Sequence, residues 1–252
     1  MAKNYALYYG YGEAEMLSRF DLAVIEPKGM KLEEIDYLKE RKTLVLSYLS
    51  LMEVHPHEPI FKNLTEDDFL IVDYEPAMNA AYGTYLVNLR SKKWITHLMS
   101  EVKYRLQFLG TDGIFMDTIG DLELPYLPPA VKKEQMEAYV NILYIFKTMY
   151  PNHLFLQNNG LESIVLESAP WIDGILWENP PLTLKSSEEW VNVIITRLDE
   201  LQHQFNLRIF LLFEESVEKE RKSFPIAKKI AGEKNYLLYS APNHYVDGIS
   251  LP

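Results

Sequence analysis

Two acidic residues, Asp117 and Glu178, stand directly after short apolar runs of the sequence. Asp117 follows Gly113-Ile-Phe-Met and Glu178 follows Gly174-Ile-Leu-Trp, and an aspartate precedes each run. A pair of carboxylic acids can cleave a glycosidic bond, because one gives a proton to the leaving oxygen while the other attacks or stabilises the oxocarbenium-like carbon. A single acid at a strand end as often caps the next helix or binds a backbone amide, but a matched pair favours catalysis.

Such a pair needs a scaffold, and the sequence predicts one built from alternating strands and helices. Eight apolar, β-branched or aromatic runs predict strands at Tyr5–Tyr9, Asp21–Ile25, Thr43–Leu49, Gly113–Asp117, Leu154–Gln157, Gly174–Trp177, Arg208–Phe213 and Tyr236–Tyr239. This alternation is typical of βαβ units, and eight strands over this length favour a single (β/α)8 TIM barrel, an α/β fold, spanning residues 1–252. A further run at Phe69–Val72 and the stretches Leu51–Asp68 and Leu122–Pro129 are predicted to be loops.

Helices between the strands are indicated by apolar residues spaced three and four apart. The clearest stripes are Ile95, Met99, Val102, Leu106 and Leu109; Met136, Tyr139, Val140, Leu143 and Phe146; and Val191, Ile194, Leu198, Leu201 and Phe205. Each stripe is expected to pack against the sheet.

The predicted barrel indicates where the two acids lie, because the active sites of this fold lie at the carboxyl ends of the strands. Side chains alternate along a strand, so Asp117 should share a face with Phe115, and Glu178 with Leu176. The fourth and sixth strands are two apart at about 4.8 Å per strand, which suits two carboxylates acting on one bond. Glu178 also follows Trp177, and an apolar setting raises a carboxyl pKa toward the general-acid range.

Other polar and aromatic residues near strand ends are weaker candidates. Tyr8 and Tyr9 either stack on sugar faces or, more often for strand tyrosines, pack in the core. Asn158 and Asn159 either hydrogen-bond hydroxyl groups or form a turn before a glycine.

Glu214 and Glu215 follow the seventh strand, but one of two adjacent acids must point away from the mouth. His55 and His57 resemble part of a metal site, yet no third ligand is obvious nearby, which favours a solvated loop.

The amino-acid composition and the net charge exclude several kinds of protein and of binding site. The chain has 252 residues, a formal net charge of −11, 48% hydrophobic residues and no cysteine. The composition is that of a globular protein, and thiolate metal sites are excluded. The acidic balance argues against a nucleic-acid partner, and no apolar run is long enough to predict a membrane span.

The first residues lack the apolar core of a signal peptide. We therefore expect a cytoplasmic protein if the sequence is complete, and an extracellular or cell-surface protein if a leader has been removed. The oligomeric state is left open.

Several of these segments resemble glycoside hydrolase family 114, the endo-α-1,4-polygalactosaminidases. The most specific are residues 112–118 (DGIFMDT), 157–160 (QNNG) and 172–178 (IDGILWE); less specific are residues 21–26 (DLAVIE) and 48–53 (YLSLME). In the last of these, Met52 stands where the family pattern usually has glycine, which leaves the loop conformation and the role of Glu53 open.

The resemblance implies a barrel that cleaves internal α-1,4 bonds of galactosamine or N-acetylgalactosamine polysaccharide without a metal or other cofactor. It implies Asp117 as nucleophile and Glu178 as acid/base. We expect a retaining reaction, but the sequence does not choose between the about 5–5.5 Å separation of a retaining pair and the about 6.5–9.5 Å of an inverting one. Residues expected to shape the substrate subsites are Tyr8, Asp21, Tyr48, Glu53, Asn158 and Glu214. Two alternatives are a barrel that binds carbohydrate without cutting it and an α-glycosidase for a different sugar.

Overall fold

Eight parallel strands form the main sheet of the computed structural model, which describes residues 2–214 and 218–251; Glu215 lies outside them. The strands are β1 (Tyr5–Tyr8), β2 (Leu22–Ile25), β3 (Leu44–Ser50), β4 (Gly113–Asp117), β5 (Leu154–Asn158), β6 (Gly174–Glu178), β7 (Arg208–Glu214) and β8 (Leu237–Ala241). Each coincides with a predicted run to within two residues at either end.

The sheet runs in chain order from β1 to β8, and all seven hydrogen-bonded pairings are parallel. β1 and β8 lie side by side, and the rings of Tyr5 and Tyr239 are 5.6 Å apart across that junction. The sheet is thus a nearly closed barrel, which confirms the predicted (β/α)8 class. The single-domain organisation stays a prediction.

Helices surround the barrel. Those in the described residues are α1 (Ala14–Leu17), α2 (Leu32–Glu40), α3 (Lys92–Lys103), α4 (Pro129–Met149), α5 (Ile164–Ser168), α6 (Glu188–Phe205) and α7 (Glu218–Lys234). The predicted stripes supply their buried faces, for example Val102 of α3, Tyr139 of α4 and Leu198 of α6. No helix in the described ranges is both long and apolar enough to cross a lipid bilayer.

Alternation along β4 and β6 divides their side chains between two hydrophobic clusters. Phe115 and Leu176 pack in one cluster with Tyr5 of β1, inside the barrel. Their neighbours Met116 and Trp177 belong to the other cluster, with the helices. The residues that share a face with Asp117 and Glu178 therefore point inward, as the period of two predicts.

The repeated Asp-Gly pair has a structural role at the amino ends of β4 and β6. A Cβ atom at Gly113 would lie 2.2 Å from the Leu154 carbonyl oxygen, so only glycine lets the two strands approach. Asp112 accepts a hydrogen bond from the Val45 N–H at 2.9 Å, and Asp173 accepts one from the Phe155 N–H at 2.7 Å. These bonds satisfy strand-end donors on the neighbouring strand.

A long insertion between β3 and α3 covers one side of the mouth. It contains short antiparallel strands at Glu53–Val54, Met78–Asn79 and Thr84–Leu86, and a hairpin that pairs Ile71–Val72 with Glu75–Pro76. Glu53–Val54 and Ile71–Val72 are therefore strands, contrary to the loops predicted at Leu51–Asp68 and Phe69–Val72. The rings of Phe61, Phe69 and Tyr85 pack within 5.7 Å of one another and support this small sheet.

Candidate active site

Asp117 and Glu178 meet at the barrel mouth through one amide group. The Nδ2 atom of Asn158 donates to Oδ1 of Asp117 at 2.8 Å and to Oε2 of Glu178 at 3.0 Å. These two oxygens are therefore at most 5.8 Å apart, the sum of the two hydrogen-bond lengths. The bound suits the about 5–5.5 Å of retaining glycosidases better than the about 6.5–9.5 Å of inverting ones.

The strand order explains why Asn158 bridges the pair. It ends β5, the strand between β4 and β6, and it pairs in register with Leu176 of β6. Its side chain is 4% exposed, so the amide is held in a buried position between the two acids. The sequence predicts Asn158 to be a substrate contact or a turn residue, and the structure places its amide against both carboxylates.

The Asp117 carboxylate is partly buried and surrounded by donors. The backbone N–H of Thr118 donates to its Oδ1 at 2.7 Å, and the Tyr48 hydroxyl lies beside it. Burial raises the pKa of Asp117, while the hydrogen bonds from Asn158, Thr118 and Tyr48 act in the opposite direction. Burial is the larger effect, so the pKa of Asp117 lies above its usual value, and the three donors limit the rise by favouring the ionised form that a nucleophile requires.

Glu178 has the environment of a proton donor. Burial, and then the charge of Asp117, raises the pKa of Glu178, although the bonds from Asn158 and Tyr245 lower it. The Tyr245 hydroxyl donates to Oε1 at 2.7 Å. Trp177 does not supply the apolar setting, because its side chain points to the other face of β6 and packs against Trp190 at 5.8 Å.

Three tyrosines line the mouth beside the acids. The ring of Tyr9 lies 5.1 Å from Tyr48 and 6.0 Å from Tyr245. Tyr8 is not part of this wall: it is buried, and its hydroxyl faces the carbonyl of Tyr11 at 3.4 Å. The predicted position is corrected by one residue, because Tyr9, like Tyr5, points inward and Tyr8 points to the opposite face.

Glu53 is buried beside a further carboxyl group. Its Oε1 accepts from Asn79 at 2.8 Å and its Oε2 from Thr84 at 2.5 Å, both on the insertion. Burial, and then the neighbouring Glu53, raises the pKa of Asp121 to about 8. Met52 is buried without a left-handed backbone, so this loop does not require the glycine of the usual family pattern.

Two other predicted subsite residues lie elsewhere or serve another purpose. Asp21 precedes the first residue of β2 and accepts from the Lys3 N–H at 2.6 Å, which places it at the amino end of the barrel, away from the mouth. Glu214 ends β7 and is buried, and its Oε1 accepts from the backbone N–H of His244 at 3.0 Å. It holds the chain after β8.

The rings of His55 and His57 lie 4.8 Å apart on the insertion. Among residues 2–214 and 218–251, no group of three or more histidine or acidic side chains is arranged to hold a metal ion.

Sequence reasoning missed Tyr245, Asp121 and Tyr82. Tyr245 follows β8 by four residues, so extending the strand-end rule to the eighth strand would have reached it. Asp121 lies in the turn after β4, close to Asp117 in sequence. Tyr82 sits at the tip of the insertion, and no periodic signal marks it.

Comparison with known proteins gives one family and a set of similar folds. Residues 2–180 match the model of glycoside-hydrolase family GH114. No curated protein matches the chain.

Among solved structures, the glycoside hydrolase domain of PelA from Pseudomonas aeruginosa is 19% identical with a TM-score of 0.81, covering 99% of this chain and 98% of that one. Ega3 from Aspergillus fumigatus, solved with galactosamine, is 13% identical with a TM-score of 0.70, covering 99% and 94%. An alpha-galactosidase from Thermus thermophilus is 14% identical with a TM-score of 0.61, covering 98% and 60%. At these identities the likeness extends to the barrel fold.

Proposed function

The chain belongs to glycoside-hydrolase family GH114, and on this basis we propose that it cleaves internal α-1,4 bonds of galactosamine or N-acetylgalactosamine polysaccharide with retention of configuration. The observation that carries the proposal is the bridge from Asn158 to both Asp117 and Glu178, with its upper bound of 5.8 Å between the two oxygens. A separation of this size is closer to that of retaining pairs than to the wider spacing that leaves room for a water, which supports a carboxylate as the nucleophile.

In the first step, Glu178 gives its proton to the glycosidic oxygen as the bond from that oxygen to C1 breaks. An oxygen of Asp117 forms a bond to C1 from the opposite face, which yields a covalent glycosyl ester and a free sugar hydroxyl. Glu178 suits the donor role because burial and the charge of Asp117 raise its pKa, which favours the protonated form.

In the second step, Glu178 is ionised and takes a proton from water as the water oxygen bonds to C1. The ester bond to Asp117 breaks, and the carboxylate is restored. Two inversions at C1 give net retention. Each residue ends in its starting protonation state, so the cycle closes without a further co-reactant.

Support for an aminosugar substrate comes from two sides. Ega3, a similar fold, was solved with galactosamine. The mouth of this chain also carries the carboxyl group of Glu53 beyond the catalytic pair, whereas Asp121 beside it, with its pKa raised to about 8, favours its neutral form near pH 7. Carboxylates favour a cationic substrate over an anionic one. We propose Tyr48, Glu53 and Asn158 as the residues of the predicted set that border the bound sugar.

The proposal is tested by mass spectrometry of products from α-1,4-linked galactosamine and N-acetylgalactosamine oligomers. Release of shorter oligomers, with cuts at internal bonds, is the expected result, and the preferred oligomer identifies the acetylation state. Binding without products would overturn the hydrolase proposal in favour of a carbohydrate-binding barrel. Absence of both binding and cleavage would overturn the galactosamine assignment and direct the search to other α-glycosides.

A further inference from the structure

The chain after β8 turns back over the barrel mouth in an uncommon conformation. Asn243, His244 and Tyr245 have φ values of 42°, 54° and 66°, so three consecutive non-glycine residues adopt left-handed backbone angles. This region is unfavourable for residues with a Cβ atom, and the surrounding structure must hold it in place.

Contacts from two strands hold this turn. Glu214, at the end of β7, accepts from the His244 N–H at 3.0 Å, and the His244 Nδ1 lies 3.4 Å from the same carboxylate. The Tyr9 N–H, directly after β1, donates to the Tyr245 carbonyl at 2.7 Å. These bonds fix the backbone of Tyr245 between β7 and β1, where its side chain reaches Glu178.

Hydrogen bonds set the direction in which the Tyr245 hydroxyl points its proton. Asn179 Oδ1 accepts from the Glu214 N–H at 3.0 Å, which determines which end of the Asn179 amide is the donor. Its Nδ2 then donates to the Tyr245 hydroxyl oxygen at 3.2 Å. Because the Tyr245 hydroxyl oxygen accepts this bond from Asn179, its own proton is free to point at Oε1 of Glu178, 2.7 Å away.

We propose that Tyr245 is a positioning residue for Glu178: it holds Oε1 and thereby fixes the plane of the carboxyl group that delivers the proton. This inference rests on the proposed function of Glu178 as acid/base. The family match ends at residue 180, so it does not include Tyr245.

The charges around Glu178 determine how a variant must be interpreted. The titratable groups that face Glu178 within the described residues are Asp117, Glu214, Tyr5, Tyr9, Tyr82 and Tyr245. Of these, Tyr245 donates a hydrogen bond to Glu178. Replacing Tyr245 by phenylalanine removes that bond and leaves the other five groups and the aromatic ring in place.

The experiment compares Tyr245→Phe with wild type in two readouts. Loss of a donor to a carboxylate disfavours its ionised form. We expect the basic limb of the pH profile of kcat/KM to move up by about one pH unit, with kcat lowered and KM little changed. Carbon-13 NMR of glutamate side-chain carboxyls should show the same upward shift for the Glu178 resonance, which Glu178→Gln identifies by its loss.

Tyr236→Phe is a matched control, because the Tyr236 hydroxyl also donates to a carboxylate at 2.7 Å, but on Asp199 outside the barrel. It should leave the Glu178 titration and the pH profile unchanged. Asn179→Gly, at a φ of 48° that glycine tolerates, removes the donor that directs the Tyr245 proton and should give a smaller shift in the same direction. It also decides the matter if the phenylalanine variant unfolds.

If the Glu178 titration curves of Tyr245→Phe and Asn179→Gly coincide with that of wild type, the inference is overturned and Tyr245 is a packing residue only. The NMR titration needs no substrate. If wild type fails to hydrolyse the galactosamine oligomers, the proposed function fails, while the titration still decides whether Tyr245 controls Glu178.

Discussion

The backbone N–H of Met52 donates a hydrogen bond of 2.8 Å to the side-chain hydroxyl of Thr118. This bond joins the loop after β3 to the residue that follows Asp117. Thr118 has a φ of 67°, a conformation that is unfavourable for a β-branched residue. Its hydroxyl also contacts Ser50 at 3.1 Å, so a strained position next to the proposed nucleophile is held by bonds from the neighbouring strand.

Replacement of Thr118 by valine should therefore destabilise the fold. Valine keeps the β-branched shape and the backbone strain but leaves the buried Met52 N–H without an acceptor. We expect a loss of about 1–3 kcal/mol in the free energy of unfolding, measured by urea denaturation. Thr96→Val, on the exposed face of α3, is the control and should change stability by no more than about 0.5 kcal/mol. Equal stabilities for the two variants would show that the Thr118 hydroxyl does not support the loop.

Removing either carboxylate of the pair should lower turnover strongly without unfolding the protein. Glu178→Gln should lower kcat by about 10²–10⁴-fold, since an amide cannot give the proton. Asp117→Asn should reduce turnover below detection, because an amide does not form the glycosyl ester. Product release from the oligomers measures both effects.

Asp36→Asn and Glu167→Gln make the same chemical changes at exposed positions and should keep wild-type rates. Full activity of Glu178→Gln would contradict the assignment of the proton donor.

The pair of Glu53 and Asp121 predicts an unusual dependence of stability on pH. The pKa of Asp121 is raised to about 8 in the folded chain, against about 3.9 in an unfolded one. Between these values the folded state binds more protons, so stability falls as pH rises. The asparagine of Asp121→Asn does not titrate, and its amide can donate to Glu53. The variant should therefore be no more stable than wild type near pH 4, and its free energy of unfolding should exceed that of wild type by pH 9.

Urea denaturation across this pH range measures the effect of Asp121→Asn. The exposed Asp67 lies on the same insertion, and Asp67→Asn is the control for loss of one carboxyl group, measured over the same pH range. A constant difference for Asp121→Asn would contradict a raised pKa.

Tyr82, at the tip of the insertion, should contribute to substrate binding. The residue is 74% exposed, and partial burial and then the charges of Glu178, Asp117 and Glu53 raise the pKa of its hydroxyl, so the hydroxyl lies within the electrostatic reach of the acids. Tyr82→Ala should raise KM several-fold with little change in kcat, because it removes an aromatic surface from the mouth. Tyr74→Ala, at a 95% exposed position of the adjacent hairpin, is the control. Unchanged KM for Tyr82→Ala would remove Tyr82 from the substrate path.

Strand ends were the part of the site that the sequence could predict. Apolar runs mark parallel strands, and parallel strands present their carboxyl ends at one edge, which located Asp117, Asn158 and Glu178 together. The bridge made by Asn158 could not be predicted, because it depends on the distance between side chains of three strands.

Three predicted subsite residues lie elsewhere in the structure, and each difference has a specific physical cause. Neighbouring residues of a strand point to opposite faces, so Tyr9 points into the barrel while Tyr8 points away from it. Asp21 was placed at the mouth although it precedes its strand and so lies at the opposite end. Glu214 holds a turn that comes 30 residues later in the chain, and such tertiary partners leave no local pattern.

The central claim, a carboxylate pair close enough for a covalent mechanism, is tested most directly by the configuration of the first product. Proton NMR of an α-linked galactosamine oligomer, recorded in the first minutes of hydrolysis, distinguishes the anomers before mutarotation. We predict that the α-anomer appears first in wild type and that neither anomer appears with Asp117→Asn. Initial release of the β-anomer would contradict the account, because it would require a water between Asp117 and the sugar.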